Sequence, residues 1–271
     1  MKTFVQSLCM STVACLFSTQ LVFGMGPKPT PPPVYAHTPV VLAPGILIPL
    51  TSYDDPKIKA VFTQYGYDLV VAQQQPSGSV EARATKLCAE IARLVPTGQF
   101  HIMAISMGGL DARRAIQKCN LSSRLISLTT VSTPHRGSPL ADTATPGTGL
   151  FKDLGDAIYD LSTARTAAFN NSVIDDLHVK YFSIGFMIPE PVSMNDFLTW
   201  MLHKTIKDKS GQDNDGLVGV DSANWGTYLG TMEGTHMAIS VANKYNGGFI
   251  YEATYAKVLQ NLVRVDASAG H

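Results

Sequence analysis

Residues 100–111 read Phe-His-Ile-Met-Ala-Ile-Ser-Met-Gly-Gly-Leu-Asp, and no other stretch restricts the fold of this chain as strongly. An apolar strand runs into Ser106, two glycines follow at 108 and 109, and an amphipathic segment resumes at Leu110. Strand, sharp turn and helix is the layout of a nucleophile elbow, in which the turn residue holds a strained backbone and presents its hydroxyl. The strand and helix cross too closely for large side chains beside the serine. Ala104 and Gly108 therefore take the places that two glycines occupy in a Gly-x-Ser-x-Gly pattern. The helix start would aim N–H groups and a positive dipole end at the space above Ser106, where an oxyanion could form. Short Gly/Ser turns also join strands to helices in α/β proteins that have no such chemistry, so the stretch has to be read with its neighbours.

Those neighbours alternate between strand and helix signals. Pro39 to Ala43 reads as a short apolar strand. Asp55-Pro56 opens a helix with an acidic cap and proline at its first position; Ile58, Val61, Phe62 and Tyr65 follow at helical spacing, and Gly66 ends it. Tyr67 to Ala72 is a second strand. Ser79 caps a helix with Val80, Ala84, Leu87, Cys88, Ile91 and Val95 on one face, stopped by Pro96-Thr97-Gly98. The elbow strand starts at Phe100, and its helix is predicted to run to about Lys118. Arg124 to Val131 and Tyr181 to Phe186 are further strands, and Tyr251, Tyr255, Val258, Leu259 and Leu262 mark a closing helix. Strands separated by helices imply a mostly parallel sheet covered on both faces, whose ligands sit at the carboxyl ends of the strands. No internal repeat is present.

The first residues are expected to lie outside this fold. Met1-Lys2 gives a positive start, Phe4 to Phe23 is mostly apolar, and Val22-Phe23-Gly24 offers small-residue cleavage logic, so 1–24 reads as a secretory signal peptide. Gln6, Ser7, Ser18 and Gln20 break the run and argue against a permanent membrane anchor. Thr12 is a poor residue three places before Cys15, so simple export, secreted or periplasmic, is preferred to lipoprotein anchoring. Residues 25–37 form a proline-rich linker, leaving 38–271 as one domain long enough to bury a substantial core. A formal net charge of +0 with 15% charged residues and no basic run excludes nucleic acid as an expected partner. Of the 4 cysteines, Cys9 and Cys15 fall in the leader; Cys88 and Cys119 fall on predicted helices and could pair in an exported protein, which spacing does not decide.

A serine nucleophile needs a base. Of the 7 histidines, His37 and His271 lie near the ends, His101 sits inside the elbow strand, and His178 and His203 lie on polar or helical stretches without chemical company. His135, just past a strand end in Ser132-Thr133-Pro134-His135-Arg136-Gly137-Ser138, is a rival to His236, which stands in a late glycine-containing loop, Glu233-Gly234-Thr235-His236-Met237. In the order serine, acid, histidine, the run Asp213-Asn214-Asp215-Gly216-Leu217-Val218 supplies an acid at Asp215. The same run also reads as a plain Asx turn or a calcium loop.

Taken in order along residues 39–245, these stretches resemble the secreted α/β-hydrolase lipases of the bacterial triacylglycerol lipase type, which have related members in eukaryotes. Pro39-Val40-Val41-Leu42-Ala43-Pro44-Gly45-Ile46 is similar to the family's first strand and oxyanion loop, Ala104 to Gly109 to its elbow, and Asn214-Asp215-Gly216-Leu217-Val218 to its acid loop. Thr133-Pro134-His135-Arg136-Gly137-Ser138 followed by Ala141-Asp142 resembles a highly specific family block whose histidine is structural, which demotes His135. The resemblance implies Ser106 as nucleophile, His236 as general base and then acid, and Asp215 as its orienting carboxylate. The backbone N–H groups of Ile46 and Met107 would form the oxyanion hole. It also implies an α/β-hydrolase fold with a helical lid insert near 139–178, acting on carboxylic esters of acyl lipids with transient contact to a lipid interface. A phospholipase or lipid acyltransferase would use the same triad. A non-enzymatic binding protein would be expected to lose a triad member, and none is lost here.

Two residues depart from the family pattern. Pro44 replaces the usual histidine before the loop glycine and brings no N–H, so the hydrogen bonding of that loop must differ. Asp196 could supply one ligand of the calcium site that many bacterial members carry. Ala238 stands where the second would be and has no ligand oxygen in its side chain, so no cofactor or metal is expected. Within the insert, Leu150, Phe151, Leu154, Ile158 and Leu161 form one apolar face, either of a helix packed on the core or of a lid over the site.

Overall fold

The computed structural model describes residues 35–46, 52–144, 154–190, 192, 196–240 and 250–269. The expected leader, most of the linker, Leu150, Phe151 and His271 lie outside the described residues. The last linker residues do not: the Tyr35 hydroxyl donates to the Leu94 carbonyl at 2.6 Å, and the His37 N–H to Asp68 at 2.8 Å.

Among the described residues, six strands form one parallel sheet: β1 (Thr38–Ala43), β2 (Tyr67–Val71), β3 (Phe100–Ile105), β4 (Leu125–Val131), β5 (Lys180–Met187) and β6 (Thr227–Glu233), in the order β2-β1-β3-β4-β5-β6. The chain passes from β1 outward to β2 and then back across to β3, so the strand order reverses between β1 and β3. Open parallel sheets bind ligands above such a reversal. Ser106 follows β3 there, and Gly45 and Ile46 follow β1.

Helices cover both faces because the strand side chains alternate. Val40 and Leu42 of β1 pack with Met103 and Ile105 of β3 under α1 (Pro56–Gln64) and the closing helix α9 (Tyr251–Ala269). Val41, Ala43, Ile102 and Ala104 face the other way, onto α2 (Val80–Leu94) and α3 (Gly108–Lys118). The predicted caps are present: Asp55 accepts from the Lys57 N–H at 2.7 Å, and Ser79 from the Ala82 N–H at 3.3 Å. Cys88 on α2 and Cys119 at the end of α3 form a disulfide with Cα atoms 6.2 Å apart. It closes a loop of a size that cross-linking stabilises by about 3–4 kcal/mol.

The remaining helices are α4 (Pro139–Thr143), α5 (Asp156–Asp160), α6 (Thr163–Ser172), α7 (Phe197–Ser210) and α8 (Val220–Ala223). The predicted strand at Tyr181 extends by one residue at each end in β5, and β6 is an edge strand that the sequence pattern did not mark. Its residues are half-buried or exposed, and Gly230 at φ +108 interrupts it. Among the described residues no helix is long and apolar enough to cross a membrane.

Candidate active site

Ser106 sits at φ +54, a left-handed backbone that a serine adopts only when its surroundings enforce it. Several contacts do so. Its N–H donates to the Val131 carbonyl at 2.9 Å, and its carbonyl accepts from the Gly109 N–H at 3.0 Å and the Thr133 hydroxyl at 2.7 Å. A Cβ on Gly108 would stand 2.3 Å from the Ala43 carbonyl oxygen, so only glycine lets α3 start this close to β1. A Cβ on Gly45 would stand 2.8 Å from the Ser106 Cβ, which puts the loop after β1 against the nucleophile candidate itself.

The structure brings His236 to that hydroxyl. Its Nε2 lies 2.8 Å from Ser106 Oγ, and its Nδ1 lies 2.8 Å from Asp215 Oδ2. A carboxylate can only accept, so Nδ1 carries the proton and Nε2 is left to accept from the serine hydroxyl. Asp215 is buried, and its other oxygen is satisfied by the N–H groups of Leu217 at 2.9 Å and Val218 at 2.7 Å. The carboxylate is thus fixed from both sides. The His236 N–H also donates to the Asp215 carbonyl at 2.9 Å, tying the two loops together.

The block around His135 buttresses this arrangement rather than joining it. His135 is buried and stacked on Trp225 with ring centroids 5.1 Å apart, and its Nε2 lies 3.0 Å from the Thr130 hydroxyl. Burial, with the Arg113 and Arg136 cations nearby, pushes its pKa well below the usual histidine range, so it stays neutral. The Ser138 hydroxyl donates to the Leu217 carbonyl at 2.7 Å, and Arg136 donates to the Asp221 carbonyl at 2.7 Å, so the block clamps the segment carrying Asp215. His203 also acts there: its carbonyl accepts from the Asn214 side chain at 3.2 Å. His178 pairs with Asp176 at the surface, and His37 with Asp68. Neither the hydroxyl of Thr133 nor the carbonyl of His203 was marked as a site support in the sequence, because both act through contacts between distant loops.

An apolar pocket opens above Ser106 and His236, lined by Ile46, Pro134, Leu140, Ala141, Leu154, Ile158, Leu161, Leu217, Val218 and Met237 among others. Of the two expected oxyanion donors, Ile46 is one of the lining residues and Met107, next to Ser106, belongs to the turn that opens α3. Leu154, Ile158 and Leu161 also pack on Met107 and Leu110, which places the described part of the expected lid face directly over the elbow. Asp196 caps α7, accepting from the Thr199 N–H at 3.1 Å. Among the described residues no cluster of His, Cys, Asp and Glu is arranged to hold a metal ion.

No family model matches the chain. It is 34% identical over 198 residues to triacylglycerol lipase 2 of Saccharomyces cerevisiae, a stretch covering 65% of this chain and 58% of the yeast protein, so it spans less than two thirds of that relative. Among solved structures, the mature lipase BlEst2 of Bacillus licheniformis superposes with a TM-score of 0.66 at 24% identity, over 87% of this chain and 95% of that one. The metagenomic carboxyl esterase MGS0156 gives 0.66 at 21% identity, over 88% and 81%. These two likenesses establish the fold. In sequence the chain is similar to the yeast lipase, and in fold, with its parallel sheet order, to these lipase and esterase structures of the α/β-hydrolase type.

Proposed function

We propose that the chain hydrolyses carboxylic esters of acyl lipids through an acyl-enzyme on Ser106. What carries this reading is the Ser106–His236–Asp215 row, with two contacts of 2.8 Å, at the floor of an apolar pocket. His236 Nε2 takes the hydroxyl proton as Ser106 Oγ attacks the ester carbonyl, and Asp215 stabilises the imidazolium. The negative charge moves to the carbonyl oxygen, where the N–H groups of Met107 and Ile46 receive it; one such donor is worth about 2.7–4 kcal/mol in the transition state. The imidazolium then returns the proton to the departing alkoxide. A water activated by the same histidine attacks the acyl-enzyme and releases the acid and the free serine.

The apolar lining suits an acyl chain, and the names of the lipase and esterase relatives support the same substrate class. Leu154 and Leu161, either side of α5, and its own Ile158 line this space, which supports the lid reading and transient contact with a lipid interface. The Cys88–Cys119 disulfide supports export by way of residues 1–24 into an oxidising compartment. No calcium or other cofactor enters this chemistry, and EDTA is expected to leave the rate unchanged. The test is the purified protein on panels of carboxylic esters and phospholipids, with and without a serine-reactive phosphonate. Hydrolysis of the carboxylic esters, blocked by phosphonate attached to Ser106, is the expected result; an inert protein, or labelling elsewhere, would overturn the reading.

A further inference from the structure

We propose that Arg83, held by Asp111, is a positioning residue for the oxyanion loop, its guanidinium fixing the peptide that presents the Ile46 N–H. The inference rests on the ester-hydrolysis reading of the site. Arg83 stands near the start of α2 and is fully buried, as is Asp111 on the first turn of α3. Its Nε donates to Asp111 Oδ2 at 2.8 Å, and its Nη2 lies 2.8 Å from the same oxygen. The rest of the guanidinium is spent on backbone: Nη2 donates to the Pro44 carbonyl at 2.9 Å and reaches the Gly45 carbonyl at 3.3 Å, and Nη1 donates to the Gln75 carbonyl.

The planarity of the peptide unit turns these contacts into a positioning device. A trans peptide carries its C=O and N–H on opposite sides, and the Gly45 carbonyl shares one plane with the Ile46 N–H. With the carbonyl drawn to Arg83, the N–H is turned the other way, on a loop that Gly45 presses against Ser106 and whose next residue lines the pocket. Pro44 supplies no N–H of its own to anchor the loop, so its carbonyl and that of Gly45 are the handles available. Asp111 neutralises a cation that would be costly to bury alone, and its helix begins at the elbow. The pair therefore ties the loop carrying one oxyanion donor to the helix carrying the other. Lysine would keep the charge but not the planar fork that reaches carboxylate and carbonyls together.

A merely structural pair would lower stability without touching the rate of folded enzyme, so the test separates the two. kcat and KM on a soluble ester, and the inhibition constant of a trifluoromethyl ketone that adds to the serine as an oxyanion-bearing hemiketal, are measured per active site titrated with phosphonate. Arg83→Met should lower kcat about 100-fold with KM within about twofold, and weaken the ketone by the same factor as kcat/KM. Arg83→Lys should restore melting temperature more than kcat. Asp111→Asn, which leaves the arginine in place, should lose about tenfold in kcat and carries the test if Arg83→Met does not fold. Arg113→Lys, at another buried arginine that pairs with Asp175, should lower the melting temperature with kcat per titrated site unchanged. Full kcat per titrated site in the Arg83 and Asp111 variants, or a loss carried wholly by KM, would overturn the inference. A wild-type protein inert on all esters would overturn the functional reading beneath it; an active wild type with unaffected variants overturns this inference alone.

Discussion

Among the described residues, serine–histidine–aspartate rows stand at opposite ends of the same sheet. At the carboxyl ends of the strands stand Ser106, His236 and Asp215. Near the amino ends, Ser127 of β4 lies 2.8 Å from Nδ1 of His101 on β3, whose Nε2 stands 3.2 Å from Asp266 of α9. The residue types are the same, but little else is. Ser127 sits inside β4, fully buried, beside a register shift against β3, and the His101–Asp266 contact lacks the alignment of a hydrogen bond. Ser106 stands on a strained turn, under an apolar pocket, beside the start of a helix. The comparison teaches that the triad's residue types are not sufficient. A hydroxyl becomes a candidate nucleophile where the fold also supplies space for a carbonyl and donors for the charge it develops.

The largest expected effect separates the two serines. Ser106→Ala should remove ester hydrolysis by at least about three orders of magnitude with the circular-dichroism spectrum unchanged. Ser127→Ala should keep the activity and instead lose about 1–3 kcal/mol of stability, because His101 is left with an unpaired buried nitrogen. An active Ser106→Ala, or an inactive but fully stable Ser127→Ala, would break the comparison. Melting temperature and activity measured on the same preparations decide it.

The carboxylates sharpen it further. Asp215→Asn should cost roughly three to four orders of magnitude in kcat, since an amide can hold His236 in the wrong tautomer. Asp266→Asn, which alters the partner of His101 and of the Tyr67 hydroxyl, should act on stability alone. Asp213→Asn and Asp221→Asn should change activity little: Asp213 pairs with Lys207 at the surface, and Asp221 lends only its backbone carbonyl to Arg136. If Asp213 or Asp221 proved the sensitive carboxylate, the acid assignment would be wrong.

Much of this was legible in the chain because the signals are local. The elbow, the caps at Asp55 and Ser79 and the alternation of β1 are each written within a few residues. The order serine, acid, histidine offered Asp215 and His236 with His135 as a rival, the resemblance to the lipases chose between them, and the fold closes both loops over Ser106. What was not legible depends on distant contacts. Nothing local marks Arg83, because what it holds, Pro44 and Asp111, lies 39 and 28 residues away in sequence. β6 escaped because an edge strand with one wet side and Gly230 in its middle shows no clean period. His101 read as a residue that packs within its strand, which it does, but its serine and aspartate partners come from β4 and α9.

The smallest expected effect concerns access, the property that separates the two rows. Leu154, Ile158 and Leu161 are buried against Met107 and Leu110 and line the pocket. α5 is latched at its carboxyl end by two bonds: Asp160 accepts from the Val80 N–H at 2.8 Å, and the Leu161 carbonyl from the Ser138 N–H at 2.9 Å. Each such apolar side chain left in water forgoes about 1.5–3 kcal/mol, so an open state in buffer is a minor population until a lipid surface receives the exposed face. Activity on an emulsified ester should therefore rise well above that on the same ester below its solubility limit. The double variant Leu154→Ser with Ile158→Ser loosens closure and weakens interfacial contact together, so it should raise the rate on dissolved ester and lower it on emulsion, each by several-fold. Rates that pass smoothly through the solubility limit and do not respond to the double variant would make α5 a fixed wall of the pocket. Ser106 would then differ from Ser127 by a permanent opening rather than by a gated one.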